Sequence, residues 1–151
     1  MKKNSFFMCV IIIVLCSQNM IAQNISLIND SIVTIMNDDL IINISKKGAE
    51  LQNITSRKTG CEYLWQGSPE FWKRRSPILF PFVGRLWQGT YYLDGKSYPM
   101  EIHGFAKDCN FQLEKEKDSK IWFRLISNEQ TLQSYPFSFE LNIGYFLSEK
   151  S

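Results

Sequence analysis

Phe139-Glu140-Leu141-Asn142-Ile143-Gly144-Tyr145-Phe146-Leu147 alternates between two kinds of side chain along its whole length. Successive side chains of a β-strand point to opposite faces, so Phe139, Leu141, Ile143, Tyr145 and Leu147 share one face. That face requires a core beneath it. The same period of two recurs in Leu40, Ile42 and Ile44 against Ile41, Asn43 and Ser45. It recurs again in Ile121, Phe123 and Leu125 against Trp122, Arg124 and Ile126. Turn-forming residues separate these runs. Asn37-Asp38-Asp39 divides two strands, Asp94-Gly95 closes a hairpin between Thr90–Leu93 and Lys96–Ile102, and Asp118-Ser119 closes another. Lys115 to Lys120 alternates in sign, as a hairpin tip does. Pro99 lacks a backbone N–H, which puts its strand at an edge or a bulge.

Only one segment is predicted to be helical. Ser127 and Gln130 have the spacing of a capping box, and Tyr135-Pro136 ends the turn. Many short strands with regular turns and almost no helix define an all-β class, an antiparallel sandwich or barrel. The alternation of the last strand runs to Leu147, four residues before the end of the chain at Ser151. A strand of this kind normally has neighbours on both sides, which suggests a fold that continues past it.

The opening residues have a different character. Lys2 and Lys3 precede an apolar run from Phe6 to Cys16, and the polar stretch Ser17 to Gln23 follows. This is the order of a secretory signal peptide with cleavage near Ala22 or Gln23. The apolar run is 11 residues, whereas a spanning helix needs about 20. A retained anchor is the alternative. Leu15 stands before Cys16 where a lipoprotein signal requires a small residue. The expectation is a leader over 1–23, export to the periplasm or beyond, and no stable membrane insertion.

Removing 23 of the 151 residues leaves 128, enough for one compact domain over 24–151, or for part of one. Lys2 and Lys3 leave with the leader and no acid does, so the 17 basic residues fall to 15, equal to the 15 acids. A neutral chain has no phosphate-neutralising surface, so nucleic acid is not expected as a partner. Cys61 and Cys109 remain. Export would permit a bridge between them, but their separation of 48 positions says nothing about geometry. They also lack the closely spaced partners of a zinc site.

One segment breaks the alternation, Arg74-Arg75-Ser76-Pro77-Ile78-Leu79-Phe80-Pro81-Phe82-Val83-Gly84-Arg85-Leu86. Two prolines and a glycine hold its backbone off a regular strand path. Arg85, directly after Gly84, is a planar five-donor group that suits sugar hydroxyls or a carboxylate. An arginine at a sheet edge is the plainer alternative. His103, the single histidine, is followed by Gly104 and Phe105 at the end of a strand-like stretch. Such a histidine is either structural or part of a site. Trp65, Trp72, Trp87, Phe80 and Phe82 crowd the same region. Aromatic faces pack on pyranose rings, but they also fill sandwich cores, and the core is the expectation for most of them. Lys73-Arg74-Arg75 is expected to be a solvated patch. No glycine-rich phosphate loop, serine elbow or metal-ligand cluster occurs, so no cofactor or metal is expected.

At these residues the sequence resembles the aldose 1-epimerase (galactose mutarotase) family, in its branch of shorter bacterial members. The matching stretches are Lys47-Gly48-Ala49-Glu50-Leu51, Glu62-Tyr63-Leu64-Trp65-Gln66-Gly67, Ser76 through Leu86, Ile102-His103-Gly104-Phe105-Ala106 and Tyr135-Pro136-Phe137. The resemblance implies a large antiparallel β-sandwich that binds a free aldohexose, such as glucose or galactose, in a groove. It implies interconversion of α and β anomers by a glutamate general base at the C1 hydroxyl and a histidine general acid at the ring oxygen. By position, Arg85 matches the family's sugar-binding arginine and His103 its first histidine, both substrate-binding. Lys107 stands where the branch commonly has arginine.

The family's catalytic histidine and glutamate fall beyond residue 151, so no catalytic residue is carried over. The expectation is the N-terminal half of such a sandwich, binding sugar without the acid–base pair and inactive alone. Two alternatives accompany it. One is a non-catalytic sugar-binding protein. The other is a hexose-6-phosphate 1-epimerase, with Arg74, Arg75 and Lys107 on the phosphate.

Overall fold

The computed structural model describes residues 25–29, 31–115 and 120–148. The leader over 1–23 and the Asp118-Ser119 turn lie outside the described residues.

Strands β1 (Ile25–Asn29), β2 (Ile32–Met36), β3 (Leu40–Ser45) and β4 (Leu51–Ser56) form an antiparallel sheet in chain order. The β2–β3 turn is set by Asn37, whose Oδ1 accepts from the backbone N–H of Asp39 at 3.0 Å and of Leu40 at 2.8 Å. That geometry is why a short polar run suffices to reverse the chain. Strands β5 (Thr90–Leu93) and β6 (Lys96–Pro99) make a two-stranded ribbon. Its turn residues Asp94 and Gly95 have φ of 49° and 76°, the left-handed pair that a two-residue hairpin demands.

Strands β7 (Gln112–Lys115), β8 (Lys120–Ile126) and β9 (Glu140–Phe146) form a second antiparallel sheet, with β8 in the middle. Helix α1 (Glu129–Ser134) connects β8 to β9. On the outer face of this sheet Arg124 bridges Glu114 at 3.0 Å and Glu140 at 2.9 Å, one ion pair to each neighbouring strand.

The two larger sheets share one core. Val33, Ile35 and Ile44 of the first sheet and Ile121 and Phe123 of the second are its most deeply buried large side chains. Leu141, Ile143 and Tyr145 pack against them from β9, the face that alternation assigns to the core. Burying each such aliphatic or aromatic side chain contributes about 1.5–3 kcal/mol. The arrangement is mostly antiparallel β with almost no helix, as the period-two patterning requires.

Two local expectations are corrected. Strand β6 ends at Pro99 rather than Ile102, because Met100 turns away to donate its N–H to Gly89 at 2.8 Å. The helix cap is Asn128 with Thr131, not Ser127 with Gln130. Asn128 Oδ1 accepts from Thr131 N–H at 3.0 Å, and Thr131 Oγ1 accepts from Asn128 N–H at 2.9 Å. Cys61 and Cys109, whose pairing the sequence leaves open, are both free thiols. No helix among the described residues is long and apolar enough to cross a membrane.

Candidate functional site

The irregular segment from Arg74 to Leu86 is fastened to the first sheet at its start. Glu50, 5% exposed, accepts from the backbone N–H groups of Arg75 at 2.8 Å and Ser76 at 3.0 Å. Ser76 Oγ donates to the Leu51 carbonyl at 3.2 Å, and the Arg75 guanidinium donates to the Gln52 carbonyl. A buried carboxylate taking two backbone donors is a strong, directional anchor. Farther along, Ile78 and Phe80 pack on the core. The Phe80 ring meets Phe105 and Tyr135 edge-on, both at 5.9 Å, and Phe139 at 4.9 Å. The Phe80–Pro81 peptide is cis.

The His103 loop docks on this segment. Phe105 N–H and Ala106 N–H both donate to the Phe80 carbonyl, at 3.0 and 3.2 Å. Gly104 has φ of 73°, and a β-carbon there would lie 2.0 Å from the same oxygen, so only glycine permits the approach. His103 N–H donates to the Gly84 carbonyl at 3.2 Å, which sets His103 beside the residue preceding Arg85. The His103 ring is bound through Nδ1 to the Val83 carbonyl. A carbonyl only accepts, so Nδ1 carries the proton and Nε2 is left to act on anything outside.

Arg85 is exposed, and its guanidinium has no hydrogen-bond or ion-pair partner among the described residues. It lines an open groove of about 630 Å³ together with Gly89, Pro99, Met100, Glu101, Ile102 and Ser134, a size typical of small-molecule sites. The fold therefore brings Arg85 and His103 together along the backbone. Arg85 is on the groove wall, whereas His103 follows Ile102 without itself lining the groove. Glu101, which the sequence did not single out, adds an acceptor to the same wall.

The basic residues nearby are spent elsewhere, which corrects the expected solvated patch. Arg74 pairs with Asp108 and with Glu50 Oε2, the latter at 3.5 Å, and donates to the Lys107 carbonyl at 3.0 Å. Lys107 is buried. Burial pushes the Asp108 carboxyl up, but hydrogen bonds from Lys107 and Arg74 outweigh it and hold it below its ordinary value. Arg74, Arg75 and Lys107, the residues that the hexose-6-phosphate alternative would place on the phosphate, all have internal partners.

The aromatic residues divide differently from expectation as well. Phe80 is core, but Trp65, Trp72 and Trp87 are 43%, 50% and 85% exposed. Trp65 is fixed at the surface by donating its Nε1–H to the Trp72 carbonyl at 2.7 Å and by an edge contact with Phe71.

A second carboxylate is held just as firmly, at the edge of β4. Glu62 accepts from Ile54 N–H and Leu64 N–H, both at 2.9 Å, from Thr55 Oγ1–H at 2.8 Å and from Asn53 Nδ2–H at 3.1 Å. Partial burial raises its pKa, but the four donors prevail and bring it to about 2. It is an ionised structural brace.

Comparison with known proteins bears on the family and the fold. The sequence pattern of the aldose 1-epimerase family matches residues 31–151. Protein LacX of Lactococcus lactis subsp. lactis, in its plasmid form, is 32% identical over 124 residues, covering 79% of this chain and 41% of LacX. A galactose mutarotase related enzyme from Lactobacillus acidophilus has 42% identity and a TM-score of 0.75, covering 78% of this chain and 39% of that one. A galactose mutarotase-like protein from Lactobacillus casei has 39% identity and a TM-score of 0.74, covering 78% and 40% respectively. The chain thus spans about two fifths of the length of the relatives it matches. With a match that runs across most of its residues, the chain belongs to the aldose 1-epimerase family.

Proposed function

We propose that this chain binds a free aldose, such as glucose or galactose, at Arg85 and His103, and that anomer interconversion is the activity of the whole protein. The observation that carries this is the Arg85 guanidinium, free of partners among the described residues on a groove wall while the neighbouring arginines are consumed by the fold. A fork of five donors in one groove with the Glu101 acceptor suits a ligand whose surface is a ring of hydroxyls, each both donor and acceptor.

Anomer interconversion removes a proton from the C1 hydroxyl while another reaches the ring oxygen. The ring opens, the C1–C2 bond rotates and the ring recloses on its other face. Arg85 holds hydroxyls in place with charge-assisted hydrogen bonds, and His103 meets the sugar through Nε2. His103 is the only histidine among the 151 residues, so a second histidine to pair with it is not available from this chain. The chain by itself is a binding unit and leaves the mutarotation rate at the solvent value. The leader expected in residues 1–23 supports a free sugar met outside the cytoplasm.

Calorimetric titration with galactose and glucose tests the binding. Arg85→Ala is expected to weaken it by about 1–3 kcal/mol, the scale of a lost charge-assisted hydrogen bond. An affinity unchanged by that substitution would overturn the assignment. Polarimetry on freshly dissolved α-glucose tests the rest. A rate above the buffer blank that disappears in His103→Ala would make His103 an acid–base catalyst in its own right.

A further inference from the structure

Lys107 is a buried cation, 8% exposed, and a buried ammonium persists only where its charge is met. Its Nζ donates to the carbonyl of Gly104 and lies 3.0 Å from Asp108 Oδ2. Asp108 binds the Arg74 guanidinium, which reaches Glu50 Oε2 at 3.5 Å. Two acids and two bases thus alternate in one line, from Glu50 beside β4 to the Gly104 carbonyl, one residue past His103. The same Glu50 holds the start of the segment that carries Arg85.

The line ends at a left-handed turn. His103 and Gly104 both have left-handed backbones, with φ of 68° and 73°. For a residue with a β-carbon this conformation costs about 1–2 kcal/mol and persists only when its surroundings impose it. The Phe80 carbonyl holds the loop from one side through Phe105 and Ala106. The Lys107 ammonium holds the Gly104 carbonyl from the other. Of these tethers, only the one from Lys107 carries charge.

We infer that Lys107 is the positioning residue for His103. Its buried ammonium fixes the Gly104 carbonyl, and so the left-handed turn that seats the His103 ring on Val83 with Nε2 outward. This rests on the assignment of His103 to the sugar site. The single histidine supplies a clean readout, because the chain has one imidazole and therefore one set of imidazole nitrogen resonances.

Lys107→Met keeps the length of the side chain and removes the charge, and Lys107→Arg restores a cation. In Lys107→Met the His103 nitrogen shifts should move toward those of a free imidazole exchanging tautomers, and aldose affinity should fall roughly tenfold or more. Lys107→Arg should return both toward the parent values. Asp108→Asn, at a more exposed position, should shift the same resonances in the same direction by less, and it decides the matter should Lys107→Met not fold. A merely structural lysine would lower the melting temperature while leaving the imidazole spectrum and the affinity of the folded protein unchanged. That result in both variants overturns the inference. If the parent chain binds no aldose, the sugar assignment fails, and the imidazole spectrum still decides the role of Lys107.

Discussion

Replacing Gly104 by alanine places a methyl group 2.0 Å from the Phe80 carbonyl oxygen, and 2.4 Å from its carbon, in a backbone with φ of 73°. Two costs follow. The left-handed conformation alone costs a residue with a β-carbon about 1–2 kcal/mol. The contact cannot be relieved by a rotamer, because the atoms it meets are backbone. The loop must lift from Phe80, forfeiting the bonds from Phe105 N–H and Ala106 N–H to the same oxygen, worth about 0.5–1.5 kcal/mol each. The expected destabilisation is about 2–5 kcal/mol.

Gly60 supplies the control. Its φ is 71°, but an added β-carbon would find nothing within 4 Å, so Gly60→Ala carries the conformational cost alone, about 1–2 kcal/mol. Urea denaturation of the two variants, followed by tryptophan fluorescence, gives the difference directly. Equal losses in the two would refute the idea that close packing of the His103 loop on Phe80 demands glycine. So would retention of full aldose affinity by Gly104→Ala, because the loop it displaces carries His103.

Two further outcomes are expected. The Glu62 pKa is about 2 in the folded chain against an ordinary 4.5, so its stabilisation is fully present above about 4.5 and lost as the pH falls toward 2. Solvent screening reduces this to about 1 kcal/mol, and the stability gap between the parent and Glu62→Gln should narrow by that amount between pH 7 and pH 2.5. A gap constant with pH would show that the carboxylate charge contributes nothing. We propose that the leader over 1–23 is removed: N-terminal sequencing of protein recovered outside the cytoplasm should begin near Asn24, and an intact Met1 there would rule the leader out.

How much of this was legible depends on the range over which each feature is encoded. Strands β3, β8 and β9 follow from alternation because a period of two is local and every second residue testifies to it. The cap was misplaced by one residue because Ser127 and Asn128 can each cap. The structure gives the cap to Asn128, while Ser127 Oγ accepts from Phe139 N–H at 3.2 Å. The internal role of Arg74 was illegible, since its partners Glu50 and Asp108 are 24 and 34 positions away and nothing local distinguishes it from a solvated arginine. Trp65, Trp72 and Trp87 were expected inside because aromatic residues usually are. They lie in a stretch with little regular structure, where no alternation forces a side chain inward. Arg85 and His103 stand out in the sequence as candidates by their chemistry. Their adjacency depends on one backbone hydrogen bond, from His103 to Gly84, which no local pattern encodes.

The Glu62 carboxylate also governs how the molecule treats its neighbours in solution. Strand β4 is the last strand of its sheet among the described residues, and such an edge offers unpaired N–H groups to any passing β-segment. Here Glu62 takes the Ile54 N–H itself, while Tyr63 N–H covers the Ile54 carbonyl and Cys61 accepts from Ser56. A single ionised side chain, held in place by the strand it guards, replaces a neighbouring strand and meets an approaching chain with negative charge. One edge of this sheet is thereby closed to strand addition at neutral pH, at the expense of one carboxylate and no additional strand.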